Sequence, residues 1–558
     1  MPGIPALDLT FGASALESLQ RIAPTWVLGV EEDRAAPALA KSLRGIGKDI
    51  PPLAAVARDM TLWNWQRRPL SLESLIPLQD MERNASFLPP ALPRLLRVLR
   101  QALSRPLDAE PLRAAMDAGE QALTLKHLLM RVRQPGEGAF WLAVCWDWLL
   151  RLGREDLPPS MLEASDLGRD LPSLAARLRA EWAALYLPPE QALAYAENLN
   201  RSHWGLFADY LRSELHSRLG DHHESARLLA RVWRRMPWHP NLTLKLSGLL
   251  EQPSPTDSRD LSDTCVLVYS WNKADLLEDT LRSLAASDMG QALVVALDNG
   301  SNDDTPQAMA RCKNLFAKNR FLDVRLPVNV GAPAARNWLL SLPEVRSCRR
   351  AAFLDDDVVL PRDWLTRLSA TMDATNAAVV GCRIVAATPP AGLQSADYHL
   401  LPPRDGIKTF RDVEENILVF DNCAGALDIG LYSYCRPALS VSGCCHLLSM
   451  AGVEKAGAFD IRFSPTQFDD LERDLRVAKA GLHTVYEGRL AIGHVQHSSL
   501  AKAQSLKSVG HVFGNKIKLE GKYTKEEIET LSAQNLGRLW QDLEARRSAL
   551  LQGLPPTA

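Results

Sequence analysis

Up to about residue 250 the apolar residues recur at helical spacing, in stretches rich in Ala, Leu, Arg and Trp. Proline pairs punctuate them (Pro51-Pro52, Pro89-Pro90, Pro158-Pro159, Pro188-Pro189), and this part of the chain reads as mostly helix. Residues 25–30 (TWVLGV) are the one early exception and read as a short strand. From residue 263 the pattern changes. Short apolar runs at 265–269, 292–297 and 351–354 are each followed by an amphipathic stretch, at 275–286, 305–317 and 362–373. Strands of this length, each followed by a helix, predict an α/β domain with a largely parallel sheet. A further strand is expected at 482–486 and helices at 505–523 and 525–551. Between the two patterns, residues 251–262 (EQPSPTDSRDLS) are polar and aperiodic and read as a linker. The expected division is a mostly helical region at 1–170, helical hairpins at 171–250, the linker at 251–262, the α/β domain at 263–500 and a helical extension at 501–558.

Within the helical part, Glu190-Gln191-Ala192-Leu193 aligns with Glu224-Ser225-Ala226-Arg227 at an offset of 34 residues, and Glu120-Gln121-Ala122-Leu123 lies 70 residues before the first of these. A helix-turn-helix period of this length, with small residues where helices cross, resembles the tetratricopeptide repeat. Chance spacing of ordinary amphipathic hairpins is the alternative, because the Trp, Leu and Tyr positions of that repeat are poorly filled.

Composition narrows the class. The 558 residues are enough for about three to four compact units. With 46% hydrophobic and 23% charged residues and a formal net charge of −2, the chain is neither disordered nor a polybasic nucleic-acid binder. The most apolar stretch, residues 139–150, has twelve residues and contains Asp147, too short and too polar for a bilayer span. The start, MPGIPALDLT, lacks a signal-peptide plan, and nine cysteines without C-x-x-C spacing fit reduced thiols, so a cytoplasmic protein is expected.

In open parallel sheets ligands bind beyond the carboxyl ends of the strands, and here those ends are acidic. The second predicted strand runs into Asp298-Asn299-Gly300-Ser301-Asn302-Asp303-Asp304-Thr305. Asn-Gly turns the chain and Asp304 or Thr305 would cap the next helix, but neither task requires Asp298, whose carboxylate at a strand end suits a base N–H or ribose hydroxyls. The strand at 351–354 ends in Asp355-Asp356-Asp357. Three adjacent like charges are unfavourable unless a cation or wide exposure offsets them. Alternation along an extended backbone sends Asp355 and Asp357 to one side and Asp356 to the other, and a D-x-D pair of hard oxygens suits Mg²⁺ or Mn²⁺. A bare acidic loop capping a helix near Pro361 is the plain alternative.

The ordered series Ser270-Trp271-Asn272-Lys273, DNGSNDDT, Asn329-Val330-Gly331 with Ala335-Arg336-Asn337, LDDDV, and Val441-Ser442-Gly443-Cys444-Cys445 resembles the family 2 glycosyltransferases, over about 40% of the chain (264–499). The resemblance implies a GT-A type, Rossmann-like mixed sheet that binds a nucleotide sugar, beside an all-α, repeat-like N-terminal region. It implies inverting, metal-dependent transfer from a nucleotide-diphosphate-sugar donor, with nucleotide contacts from Ser270, Asn272, Asp298, Arg336, Asp355 and Asp356, and Mn²⁺ or Mg²⁺ held by Asp357, Asp355 and His494. His497 is a weaker candidate ligand. The family's E-D-x-D-L-x-x-R segment before Ala-Gly corresponds to residues 469–476, so the resemblance makes Asp470 the general base, with Asp469 beside it. Asp469 stands where the family has Glu and Glu472 where it has Asp, which leaves the choice of base between Asp469 and Asp470 open. For Glu472 an ordinary i,i+4 pair with Arg476 on a charged surface helix is the alternative. Cys444 and Cys445 read as small packing residues.

Membrane spans and the Q-x-x-R-W motif of the processive synthases in the wider family are absent from the sequence, so a non-processive enzyme is expected. A nucleotidyltransferase would need a glycine-rich loop after the first strand, and Ser270-Trp271-Asn272-Lys273 has no glycine. The acceptor is a hydroxyl of a protein, for instance a bacterial surface or flagellar protein, of a glycan or of a lipid-linked molecule. A protein partner on the helical region fits the concave surface that solenoids offer. The reading from another class is a helical-repeat interaction scaffold with an inactive glycosyltransferase fold.

Overall fold

The computed structural model describes residues 12–31, 35–47, 50–251, 260–404, 406, 414–423, 425–495 and 506–554. Most of the expected linker, and His497, lie outside them. Twelve strands are present among these residues: β1 (Thr264–Ser270), β2 (Leu293–Asp298), β3 (Phe321–Arg325), β4 (Arg350–Leu354), β5 (Val358–Val359), β6 (Val379–Ala386), β7 (Leu393–Ser395), β8 (Tyr398–Leu401), β9 (Leu418–Asp421), β10 (Cys435–Ala438), β11 (Cys445–Ser449) and β12 (Thr484–His494). The main sheet runs β10-β12-β6-β11-β4-β1-β2-β3, with β5 on β12 and β7 on β6, while β8 and β9 pair separately. β3, β2, β1 and β4 are mutually parallel and β6 is parallel to β12. β11 runs against β4 and β6, and β10 against β12, so the sheet is mixed.

The central strands are apolar throughout because both faces are covered. Side-chain alternation along β1 puts Cys265 and Leu267 in one core and Val266 and Val268 in another. The second core is closed by the helices Ala274–Ala285 and Trp364–Thr375. The first is shared with the helical region. Trp26, Trp63, Tyr210, Trp233 and Trp238 meet Leu267, Phe353, Tyr434 and Tyr486 of the sheet, and Leu536 and Trp540 of the C-terminal helix Lys525–Gly553 join them. Polar ties seal this junction. Tyr210 donates to the Ile429 carbonyl (2.8 Å), Lys245 to the Gly430 carbonyl (2.8 Å) and Trp540 to the Pro24 carbonyl (2.8 Å).

The strand expected at 25–30 is instead a 3₁₀ turn, Pro24–Leu28. Pro24 opens the turn, and the Trp26 indole is drawn inward to the Trp238 carbonyl (3.0 Å). The carbonyls of Val27 and Leu28 accept from Arg436 of β10 (2.8 and 2.6 Å), so a side chain meets the demand that a neighbouring strand would otherwise have met. A separate helical core occupies residues 62–215. At the 34-residue offset stand two successive helical hairpins, Pro189–Glu197 with Arg201–Arg218 and His222–Arg235 with Pro240–Leu250. Among the described residues no helix is long and apolar enough to cross a membrane.

Candidate active site

Ser270 pairs with Asp298 and Val268 with Leu354 in register, so β1 and β2 end level and β4 two residues earlier, and Asp298 and the acids after β4 lie at the same end of the sheet. Beyond β2, Gly300 takes a left-handed φ of 74°, and a Cβ there would run into the Val328 backbone. Asn299 clips the same loop, donating to Asn329 Oδ1 (3.0 Å) and accepting from the Val330 N–H (3.1 Å). Asp298 is fully buried. Its Oδ1 accepts from the Ser301 N–H (2.9 Å) and its Oδ2 lies 3.2 Å from Arg325. The helix at 305 is capped by neither Asp304 nor the Thr305 hydroxyl. Asp303 does this, accepting from the Thr305 N–H (3.0 Å), and its other oxygen accepts from the Ala274 N–H (3.1 Å), so one carboxylate serves two helix starts. Asn272, left-handed with φ 52°, accepts from the Asn302 N–H (2.8 Å) and joins the first two turns.

The three consecutive acids lie in a turn after β4 and take different partners. Asp356 turns under the sheet edge, where Ser270 Oγ (2.6 Å) and Lys273 Nζ (2.8 Å) donate to it. Lys273 also reaches Asp357 (3.3 Å). Burial alone would lower the Lys273 pKa, but Asp356 and Asp357 outweigh it and hold the ammonium above its ordinary range. Part of the cation demanded by the triple acid is therefore a lysine already in the chain. Burial likewise opposes ionisation of Asp357, yet His494 Nε2, 2.9 Å from Oδ1, and Lys273 hold this carboxyl below the usual value. His494 Nδ1 faces Gln394 Oε1 (2.6 Å), which fixes the ring.

Asp355 is different. Its side chain is 30% exposed, its nearest cation is Arg336 at 4.0 Å, and no hydrogen bond to its carboxylate exists among the described residues; burial pushes its pKa up to about 6. Ligand atoms of Asp355, Cys444 and His494 all lie within 4.8 Å of one another. An under-compensated carboxylate beside an imidazole fits a divalent cation. Asp357, expected as the leading ligand, borders this group, its Oδ1 2.9 Å from His494 Nε2, while Gln394 faces the other ring nitrogen.

The second half of the site comes from the helix Asp469–Lys479. It starts after two left-handed residues, Gln467 (φ 82°) and Phe468 (φ 69°), an unusual conformation that aims its first turn at the sheet edge. Asp469 is buried and accepts from Arg336 Nη1 (2.7 Å), and burial raises its pKa. Asp470 is partly exposed and accepts from the Gly443 N–H (2.9 Å). Arg336 is buried between Tyr269 and Phe459, with ring centroids at 5.4 and 5.1 Å, and also donates to the Gly443 carbonyl (3.4 Å). Asn337 makes this geometry rigid by exchanging two hydrogen bonds with the Phe459 backbone (2.8 Å each). Gly443 is needed for space, since a Cβ there would sit 2.9 Å from Asp470 Oδ2 and 3.0 Å from Arg336 Nη2. The Glu472–Arg476 pair exists (2.8 Å), but Glu472 is fully buried and also bound by Lys522, so it is an internal tie and no part of a solvated face.

Asp355–Asp357, Arg336, Asp469-Asp470 and His494 are thus brought together at one end of the sheet, with Asp298 at the end of β2 nearby in the strand order. Sequence reasoning missed Lys273, gave no task to Asn337, and did not place Cys444 beside the acids. The three acids showed that a cation was needed, but only the packing shows that Lys273 meets part of that need. Nothing local pointed to Cys444, because only the β4–β11 pairing sets it beside Asp355.

Residues 265–427 of the chain match the family model Glycosyl transferase family 2. Over 141 residues, 24% of this chain, the sequence is 35% identical to succinoglycan biosynthesis protein ExoM of Rhizobium meliloti (strain 1021). The chain spans less than half of that relative, 44% of its length. Among solved structures, mannosyltransferase PcManGT from Pyrobaculum calidifontis in complex with GDP-Man and Mn²⁺ is similar with TM-score 0.30 and 17% identity, covering 62% of this chain and 92% of that one. S. aureus TarS matches with TM-score 0.31 and 13% identity, over 49% of this chain and 43% of that one. These two likenesses are weak and carry no argument. The matched segment contains Asp298 and Asp355–Asp357 but ends before Asp469, Asp470 and His494, whose place in the site rests on geometry.

Proposed function

We propose that the protein is an inverting, metal-dependent, non-processive glycosyltransferase that moves a sugar from a nucleotide-diphosphate-sugar donor to a hydroxyl acceptor. The observation that carries the reading is the convergence of two separate acidic elements, Asp355 after β4 and Asp469-Asp470 at a helix start, on Arg336 and Gly443. One element faces the donor and the other the acceptor. The turns after β1 and β2, with Ser270, Asn272 and Asp298, form the nucleotide end, where Ser270 and Asp298 act by shaping the turns that carry them. Asp355, Asp357 and His494 would hold Mn²⁺ or Mg²⁺, with Gln394 orienting the imidazole through Nδ1. Such an ion supplies positive charge for the departing diphosphate.

Asp470 accepts the acceptor's hydroxyl proton, since displacement at the anomeric carbon requires that proton to leave as the new bond forms. Its exposure suits this role, whereas Asp469 is committed to Arg336. Arg336, charged and sandwiched between rings, keeps Asp469 in place and lends positive potential to the floor of the donor site. The name of ExoM places that protein in polysaccharide biosynthesis, so a saccharide acceptor comes first, with protein and lipid-linked hydroxyls as the other arms. A protein partner or acceptor segment would dock on the helical hairpins.

A panel of nucleotide sugars with Mn²⁺, read by thermal shift and then by transfer, tests the reading. At least one donor should stabilise the fold. Asp470→Asn should lower the transfer rate on the order of 10²–10⁴-fold with nucleotide binding intact. Stabilisation by no donor, or a full rate in Asp470→Asn, would overturn it, the former in favour of a helical interaction scaffold.

A further inference from the structure

We infer that Cys444 is a ligand of the cation site, and that its sulfur biases this site towards borderline dications such as Co²⁺ and Zn²⁺ over Mg²⁺. The inference rests on the cation-site reading above and adds to it a donor that the acidic strand end does not supply. Cys444 Sγ, a carboxylate oxygen of Asp355 and an imidazole nitrogen of His494 lie within 4.8 Å of one another, close enough to share one ion. The two residues on either side of the ladder are fixed by backbone, since the Asp355 N–H donates to the Cys444 carbonyl (2.9 Å) where β4 pairs with β11. His494 is fixed independently by β12 pairing with β5 and β6 and by Gln394.

Cys444 is buried, yet its thiol makes no hydrogen bond among the described residues, and at neighbouring Cys445 it is the backbone carbonyl that accepts from the Cys382 thiol (3.9 Å). Of the vicinal pair, Cys444 is the one that brings its sulfur to Asp355 and His494. An O, N, S donor set differs in kind from an all-oxygen one. Thiolate favours Zn²⁺ and similar ions, while Mg²⁺ holds to oxygen and water. Ligation is balanced by loss of the thiol proton to solvent as the metal–sulfur bond forms.

The test is titration of the metal-free full chain with Co²⁺, followed by near-ultraviolet absorbance, with Zn²⁺ affinity measured by chelator competition. The parent should develop a sulfur-to-cobalt charge-transfer band. Cys444→Ser and Cys444→Ala should both lose it and bind Zn²⁺ on the order of 10-fold more weakly, with Mg²⁺ affinity unchanged; Cys445→Ser, if folded by circular dichroism, should keep the band. Co²⁺ binding without a band in the parent, or a band that survives in Cys444→Ser, would overturn the inference while leaving the cation site standing. No binding of any dication by the parent would instead remove the cation-site reading itself.

Discussion

Asp474, one helical turn beyond Asp470, is a buried acid with weak charge compensation. It accepts from Ser440 Oγ (2.7 Å) and the Val441 N–H (3.3 Å). Burial pushes its pKa up to about 7, against the attraction of Arg473 and with some repulsion from Asp470. Arg473 is buried too, with its nearest carboxylate oxygen 3.9 Å away and burial bringing it down to about 10, so the pair is loose and poorly compensated. The carboxyl of the folded state binds its proton more tightly than that of the unfolded chain. Its contribution to stability is therefore full below pH 3.8 and is lost as pH rises through about 7. Asp474→Asn is expected to remove that slope, so that the variant gains on the parent as pH rises from about 4 to about 7 in denaturant melts; parallel pH profiles would refute the assignment. Side-chain types were readable at this scale, including the acids of the site. Burial was not, which is why Lys273 and the closed state of Asp298 emerge only from the packing.

At the scale of elements, the helix Leu506–Glu520 explains how the loop before Asp469 keeps its unusual shape. Asn515, fully buried, donates to the carbonyls of Phe463 (2.8 Å), Thr466 (2.8 Å) and Gln467 (3.3 Å), and Lys518 donates to that of Arg462 (2.7 Å). Loop carbonyls buried by the turn into the helix Asp469–Lys479 are thereby satisfied from outside the loop. Asn515→Ala should cost about 1–3 kcal/mol of stability. It should also lower kcat more than it raises KM for the donor, because Asp469-Asp470 lose their fixed entry angle. An unchanged kcat beside a raised KM, or an unchanged melting point, would leave Asn515 without this role. The sequence pattern announced a helix at 505–523 and could assign it no purpose, since the carbonyls it serves lie about 50 residues away.

For the whole molecule, the decisive feature is the junction at Arg436. This buried guanidinium pairs with Asp397 through Nε (2.6 Å) and reaches back to Val27 and Leu28, tying the turn Pro24–Leu28 to the sheet. Asp397 is held well below its ordinary pKa, against burial, by Arg436 and His399. Arg436→Met would leave that carboxylate buried without its cation, a loss expected at about 3–5 kcal/mol. Helical and sheet signals should then melt together at lower denaturant. A loss under about 1 kcal/mol, or separate transitions for the two parts, would show that the junction does not couple them. The division into a helical half and an α/β half was visible in periodicity. The core they share was not, because Trp26, Trp238, Tyr434 and Trp540 are distributed over the whole chain.

The sequence by itself determined the strand-helix alternation of β1, β2 and β4 with the helices that follow them, the acidic strand ends, and the order of motifs that resembles the family 2 glycosyltransferases. These depend on local periodicity and on residue types that no partner changes. Tertiary structure alone decided that residues 24–28 form a turn, that Lys273 neutralises Asp356, that Cys444 stands beside Asp355 and His494, and that Asn515 holds the loop before Asp469. Each joins residues far apart in the chain, and their meeting is set by strand pairing and by shared burial, which a one-dimensional pattern does not contain.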